Sequence, residues 1–260
     1  MTAIEDPRDE WAALTFALRQ RSEAGHPLRV WWRDDDAVRP TPALAKLLDL
    51  SRRHELPIVL AVVPAHLDPD LPSALSAASA DVTVAQHGFA HRNEAVPPGR
   101  AVECGGRRET SAILNDLDDG RQRLAKAFGE RFRPIMVPPW NRIEERITER
   151  LPSLGYVGLS VFGEEGERRE RGFTVANAHL DVLRWKGGAR FAGEAKLLRE
   201  TLGWLERNPA DTAAVFGLLT HHLDHDEATW GFLESFLPLL RHFARPVPAF
   251  SAPAGEAPYV

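Results

Sequence analysis

The 260-residue sequence holds one cysteine, Cys104, so no internal disulfide can staple the fold. That usage fits a reducing compartment. No apolar run approaches the length of a bilayer-spanning helix. The first residues, Met1-Thr2-Ala3-Ile4-Glu5-Asp6-Pro7, lack the apolar core of a secretion signal. A soluble, cytoplasmic location is the expectation. A strong charge of either sign is also missing. The formal net charge is −5 and the pI is near 6.1, with basic residues scattered along the chain. Short clusters such as Glu167-Arg168-Arg169-Glu170-Arg171 are interleaved with acids. No nucleic acid and no anionic membrane is therefore expected as the main partner. Internal repeats and low-complexity linkers are absent, and 43% hydrophobic residues suffice for one large core. A single domain over 1–260 is expected.

What the chain does have is alternation. Strand-like apolar runs lie at 28–33, 57–63, 82–86, 132–137, 156–161, 173–177, 213–220 and 247–250. Helical patterns lie at 7–24, 42–54, 71–78, 110–128, 143–154, 191–206 and 227–243. Stripes at helical spacing include Trp11, Leu14 and Leu18, and later Ile113, Leu117, Leu124 and Phe128. Another is Trp230, Leu233, Phe236, Leu237 and Leu240. Trp11, Trp204 and Trp230 fall on such stripes and are expected in the core. This alternation predicts an α/β fold of mainly parallel strands with outer helices. Seven or eight strands in one series favour a (β/α)7-8 barrel, with an open doubly wound sheet as the alternative. Segments 97–108 and 163–172, rich in Pro, Gly and charge, are expected to be loops.

The polar residues that stand out follow the strands. Asp34-Asp35-Asp36 ends the first apolar run, which holds Trp31 and Trp32. His87-Gly88-Phe89-Ala90-His91 follows the third strand and Pro138-Pro139-Trp140-Asn141 the fourth. His179 and Asp181 lie beyond the sixth. His221-His222-Leu223-Asp224-His225 follows the seventh. In a parallel barrel these ends share one face, where active sites form. Three adjacent carboxylates repel, and burying them demands a cation. His87 and His91, four residues apart, fit one face of a helical turn and can reach one metal ion.

Each motif also has a plainer reading. The aspartates could be solvated or cap the helix that starts at Thr41-Pro42. The two histidines could be surface or core residues. His221 or His222 could bond a backbone carbonyl, and Pro138-Pro139-Trp140 could be a rigid turn. Cys104 shows no local sign of activation.

The ordered set resembles the polysaccharide deacetylase superfamily, carbohydrate esterase family 4 and its relatives, from about Leu28 to Phe243. Arg33-Asp34-Asp35-Asp36-Ala37 falls where the family has Thr-Phe-Asp-Asp-Gly. His87-Gly88-Phe89-Ala90-His91 resembles its His-Ser/Thr-x-x-His, with Gly for the hydroxyl residue. Val137-Pro138-Pro139-Trp140-Asn141 matches its proline motif without the usual arginine, for which Arg133 and Arg142 are the nearest candidates. Asp181 to Trp185 matches an Asp-rich motif loosely, and Leu219-Thr220-His221 matches Leu-x-His. The resemblance implies a distorted (β/α) barrel and metal-dependent hydrolysis of an amide, most simply N-deacetylation of a saccharide. It implies Asp36, His87 and His91 as ligands of a divalent metal, zinc by preference. Asp35 would be the base and His221 the acid, with His222 as substitute. Asp181 would orient a catalytic partner. Trp140, with Pro139 and Asn141, would face the substrate and its oxyanion. Asp34 has no role unless it pairs with Arg33 or another arginine. Two other readings stay open: a hydrolase of a small, non-sugar cyclic amide, and a non-catalytic carbohydrate-binding or regulatory protein.

Overall fold

The structure is a computed structural model that describes residues 7–170, 172–210, 214–248 and 250. In chain order it runs α1 (Pro7–Glu23), β1 (Leu28–Ala37), α2 (Pro42–Arg53), β2 (Ile58–Val62), α3 (Leu71–Ala77) and β3 (Val82–His87). Then come α4 (Thr110–Phe128), β4 (Phe132–Val137), α5 (Glu145–Thr148), β5 (Gly158–Leu159), β6 (Arg168–Glu170) and β7 (Phe173–Val175). The last part holds β8 (Leu180–Asp181), β9 (Leu183–Arg184), β10 (Arg190–Phe191), α6 (Glu194–Arg207), β11 (Phe216–Thr220), α7 (Glu227–Phe243) and β12 (Ala244–Pro246). Among the described residues no helix is long and apolar enough to cross a membrane.

One sheet has the order β6-β7-β5-β4-β3-β2-β1-β11-β8, with β12 added on β1. Every pairing in it is parallel except β6 with β7. β7, next to one end of this order, and β8, at the other, belong to one extended segment. Ala176 and Ala178 donate their N–H groups to Leu159 and Val161 on the β5 side, at 3.1 and 3.0 Å. His179 and Val182 donate to Gly217 and Leu219 of β11, at 2.7 and 3.2 Å. The segment thus crosses the seam, and the sheet curls back on itself as a distorted α/β barrel.

Alternation along β1 builds both layers. Val30 and Trp32 enter the large core beneath the helices, with Leu44 and Leu47 of α2 and Leu233, Phe236 and Leu237 of α7. Trp31 points the other way and fills the barrel interior with Ala176, Val215 and Phe250. The helices start where local chemistry allows. Thr41 accepts the Leu44 N–H at 3.0 Å before Pro42, and Asp226 accepts the Thr229 N–H at 2.7 Å ahead of α7.

Several boundaries depart from the sequence reading. The first strand continues through the aspartates to Ala37. The helix expected at 143–154 is one turn, α5, followed by a 3-10 turn at Pro152–Leu154. Pro152 has no N–H to continue an α-helix. The expected loop 163–172 contains β6, which pairs antiparallel with β7. Phe191 pairs with Leu183 in a two-stranded ribbon, and Gly193, at φ 99°, turns the chain so that α6 begins at Glu194. The last strand forms at Ala244–Pro246 instead of 247–250, immediately after α7. Of that expected strand, residue 249 lies outside the described residues, as do residue 213 of the preceding one and residue 171 of the loop.

The seam tolerates no side chain at Gly217. A Cβ there would stand 2.3 Å from the Asn177 carbonyl oxygen and 2.7 Å from Trp31 Nε1. Gly217→Ala is expected to cost about 1–3 kcal/mol of stability, read as a lower urea midpoint at unchanged m-value.

Candidate active site

The pairing of β1 with β2 shifts register between Asp34 and Ala37. Asp36 sits there at φ 70°, in the left-handed region that side chains rarely enter. Regular pleating would send Asp34 and Asp36 to one face. The left-handed residue instead sends the three carboxylates in three directions.

Asp34 turns outward and is fully buried. Its Oδ1 lies 2.5 Å from His222 Nδ1. Its Oδ2 accepts from Thr220 Oγ1 at 2.7 Å and from the His222 N–H at 3.0 Å. Asp35 turns inward to Arg33, two residues back on the same face, with Nε–Oδ1 at 3.0 Å and Nη2–Oδ2 at 3.2 Å. Asp34 therefore pairs with a histidine, and Arg33 belongs to Asp35. Arg33 is fully buried and also donates to Ser160 Oγ and Asn141 Oδ1, both at 2.6 Å. Neither Arg133 nor Arg142 joins this pair. Arg133 is exposed, and Arg142 Nη1 donates to the Ala101 carbonyl at 2.8 Å.

Asp36 meets the histidines. Its Oδ1 stands 3.1 Å from His87 Nε2 and 3.2 Å from His91 Nε2. Three donors about 2.1 Å from one ion at tetrahedral angles would stand about 3.4 Å apart. His87 Nδ1 donates to the Val137 carbonyl at 3.0 Å, which leaves Nε2 as the ligand nitrogen of the neutral ring. Without an ion, a hydrogen bond to Asp36 would need His87 doubly protonated beside a second imidazole. The donor set fits a divalent cation. Burial by itself would raise the Asp36 carboxyl. The hydrogen bond and charge of His87, followed by His91 and His221, win and hold it well below the usual carboxylate range. Burial pulls His87 down, but Asp35 and Asp36 carry it above its ordinary value. His91 is lowered by burial and by the His87 charge.

The two histidines do not share a helical turn. β3 ends at His87, and Gly88 and His91 both take φ 53° in a tight irregular turn. The buried Glu103 carboxylate holds that turn, accepting the N–H groups of Phe89, Ala90 and Arg92 at 3.0, 2.8 and 3.2 Å. Glu103 sits in an expected loop, and nothing in the sequence marks it. Arg33 did carry a signal: an Arg-x-Asp step in a strand puts both side chains on one face.

Trp140 and Asn141 follow β4, both at φ 56°. The Trp140 ring lies 4.5 Å from the His91 ring and walls the cleft. Pro139, expected to face substrate, is buried behind it against Gly88, where a Cβ would stand 2.6 Å from Pro139 Cδ. Across the cleft His221 places Nε2 3.8 Å from Asp35 Oδ2 and Nδ1 3.8 Å from Asp181 Oδ1. Asp181 is fixed by the Leu183 N–H at 2.9 Å and Trp185 Nε1 at 2.8 Å. Burial raises its carboxyl above the ordinary value, with His221 opposing.

His222 is not a substitute for His221. It faces away from the cleft, 1% exposed, on Asp34. His225 Nε2 accepts the His221 backbone N–H at 3.3 Å, and burial lowers its pKa to about 4. Cys104 is fully buried, and burial raises its thiol far above the usual range. Asp35, Asp36, His87, His91, Trp140, Asn141, Asp181 and His221 line one open cleft of about 1430 Å³.

No family model matches the chain, and no curated protein matches it. Solved structures do share its fold. A family 4 carbohydrate esterase from Streptomyces lividans, in complex with acetate, is 14% identical. It aligns with a TM-score of 0.53 over 82% of this chain and 88% of that one. The Bc1960 peptidoglycan N-acetylglucosamine deacetylase is 16% identical, with a TM-score of 0.56 over 84% and 85%. A family 4 acetyl xylan esterase from Clostridium thermocellum, in complex with a cobalt ion, is 12% identical, with a TM-score of 0.53 over 84% and 87%.

Two outcomes are expected. Elemental analysis after zinc loading and desalting should find one ion per chain, and Asp36→Asn or His91→Ala should lose it. Acid stability should carry the mark of His225. Its folded pKa of about 4 lies below the unfolded value, so the unfolded chain takes up the proton first. Stability should fall as pH drops through 6.5 and level off near 4, by up to about 3 kcal/mol. His225→Gln, which keeps an acceptor, should flatten that part of the stability–pH curve.

Proposed function

We propose that the chain is a divergent member of the polysaccharide deacetylase family: one catalytic domain that hydrolyses an acetyl group from an N-acetylated saccharide with a divalent metal. One observation supports this above the others. The Asp36, His87 and His91 donor atoms converge between a buried carboxylate, Asp35, and a histidine, His221, in one cleft. The fold is the one on which the solved deacetylases and esterases are built.

A divalent cation on Asp36, His87 and His91, zinc by the nitrogen-rich donor set, would supply a Lewis acid that lowers the pKa of water and polarises the acyl carbonyl. Asp35 takes the proton from the attacking water. The bidentate Arg33 pair aims its carboxylate, and Ser160 and Asn141 hold the guanidinium in turn. His221 stands on the other side of the cleft and gives a proton to the leaving amine. Asp181, with Oδ1 3.8 Å from His221 Nδ1, orients that ring. The Trp140 backbone N–H is offered to the developing oxyanion, while its indole closes one wall of the cleft over His91.

The test is acetate release from N-acetylated saccharides by zinc-loaded protein. Asp35→Asn should keep the metal and lose about 10²–10⁴-fold in kcat, with a similar loss for His221→Gln. Undiminished turnover by a His87→Ala/His91→Ala protein shown to be metal-free would defeat the reading.

A further inference from the structure

Six lysine and arginine side chains line the cleft, and they divide into two groups. The three on α6 have carboxylates of their own: Lys196 with Glu200 at 2.7 Å, Arg199 with Glu10 at 2.7 Å and Arg207 with Glu164 at 3.1 Å. Arg100, Arg142 and Arg184 have no carboxylate partner among the described residues. Arg184 is exposed at the end of β9, where water can solvate it. Arg100 and Arg142 stand together.

Their proximity is built in. The loop between the His91 turn and α4 closes on itself. The Glu94 N–H donates to the Val102 carbonyl at 2.8 Å, and Asn93 Oδ1 accepts the N–H groups of Ala95 and Val102 at 2.9 and 3.2 Å. That loop is joined to the chain after β4. Cys104 bridges to Ile143, and the Glu144 N–H donates to the Cys104 carbonyl at 3.0 Å. Arg142 spans the same junction, with Nη1 donating to the carbonyl of Ala101, the residue after Arg100. Burial, and after it the Arg100 charge, lowers the Arg142 guanidinium from its ordinary value.

The neighbouring acids do not answer these charges. Glu94 pairs with Arg92 at 2.6 Å. Glu103 gathers the N–H groups of the His91 turn. Glu144 accepts the Gly106 N–H at 2.7 Å and pairs with Arg146 at 2.7 Å. Glu145 is exposed in the first turn of α5 and does not line the cleft. Two like charges held together on a cavity wall, one of them half-buried, call for an anion from outside. The chain as a whole carries −5, so the attraction is confined to this corner. The planar guanidinium fork matches the paired oxygens of a phosphate or a carboxylate. Arg142 directly follows Trp140 and Asn141, whose side chains stand against His91 and Arg33. The corner therefore adjoins the reacting centre.

We propose that Arg100 and Arg142 bind an acidic group of the substrate, a phosphate ester or a carboxylate, so that the saccharide hydrolysed here is an anionic one. This rests on the hydrolase reading of the same cleft.

The experiment compares charged and neutral sugars. Zinc-loaded protein is given N-acetylglucosamine, its 1-phosphate, its 6-phosphate and N-acetylmuramic acid, with acetate release and calorimetric binding both measured. At least one charged sugar should exceed the neutral one by about tenfold or more in kcat/KM, mostly through KM. Added salt should reduce that preference. The phosphate and carboxylate arms tell the two acidic groups apart. Arg142→Gln and Arg100→Gln should each bring the charged-to-neutral ratio towards one, with zinc content checked in both. Arg207→Gln, in the same cleft but already matched by Glu164, should leave the ratio in place. Equal turnover of charged and neutral sugars overturns the anion site and leaves the hydrolase reading standing. So does a preference that survives both variants, since it then belongs to the metal, or one lost equally in Arg207→Gln. Tight binding of a charged sugar, lost in the two variants but without any acetate release, keeps the anion site and overturns the hydrolase reading. Neither binding nor turnover overturns both.

Discussion

The site depends on one left-handed residue in a parallel strand. Were Asp36 to keep the pleat of β1, it would follow Asp34 towards the helices, and His87 and His91 would lose the carboxylate that completes their donor set. A non-glycine residue in that region costs roughly 1–3 kcal/mol, held in place by its surroundings. The same backbone conformation recurs at His91, Trp140 and Asn141. Four of the five non-glycine residues with positive φ among those described therefore border one cleft. The barrel supplies the rigidity that keeps these turns open. The turns supply directions that regular strands cannot.

Electrostatics divides along the same line. Asp34 and Asp35 are consecutive and buried, and each has its own cation on opposite sides of the sheet. Burial alone would raise Asp34, yet the charge and hydrogen bond of His222 bring it below its ordinary value. His222 is raised in turn against the pull of burial. This outer pair joins the end of β1 to the turn after β11, and the inner pair joins it to Ser160 and Asn141. Removing one member would leave a buried charge uncompensated, which is the costly way to lose an ion pair.

Much of this was legible in residue order. Apolar runs at strand length marked the central strands, because those strands are buried on both faces and need no alternation. The position of the aspartates, histidines and Trp140 after such runs placed them on one end of the barrel. Backbone twist was less legible. A period-two pattern says nothing of a φ that reverses at Asp36, nor of a turn that brings His91 back onto His87 without a helix. Arg33 was legible as a partner for an aspartate, but the reading paired it with its neighbour Asp34, whereas the pleat gives it to Asp35, two residues on. The doubled histidine could not be resolved either: β11 ends at Thr220, before both His221 and His222, and the turn that follows sends them to opposite sides. The closing segment escaped for another reason. It is seen as one strand only through its partners on both sides, and those lie far away in sequence.

Gly88 stands where the related motif carries serine or threonine. Its φ is 53°, and a Cβ there would fall 2.0 Å from Glu103 Oε2 and 2.6 Å from Pro139 Cδ. The carboxylate that would collide is the one that gathers three N–H groups to shape the His91 turn. A side chain at 88 would therefore push the Glu103 head group out of the turn, and the three N–H groups would lose their common acceptor. The absence of a Cβ at one position is what lets a carboxylate fifteen residues later act as the template of the loop.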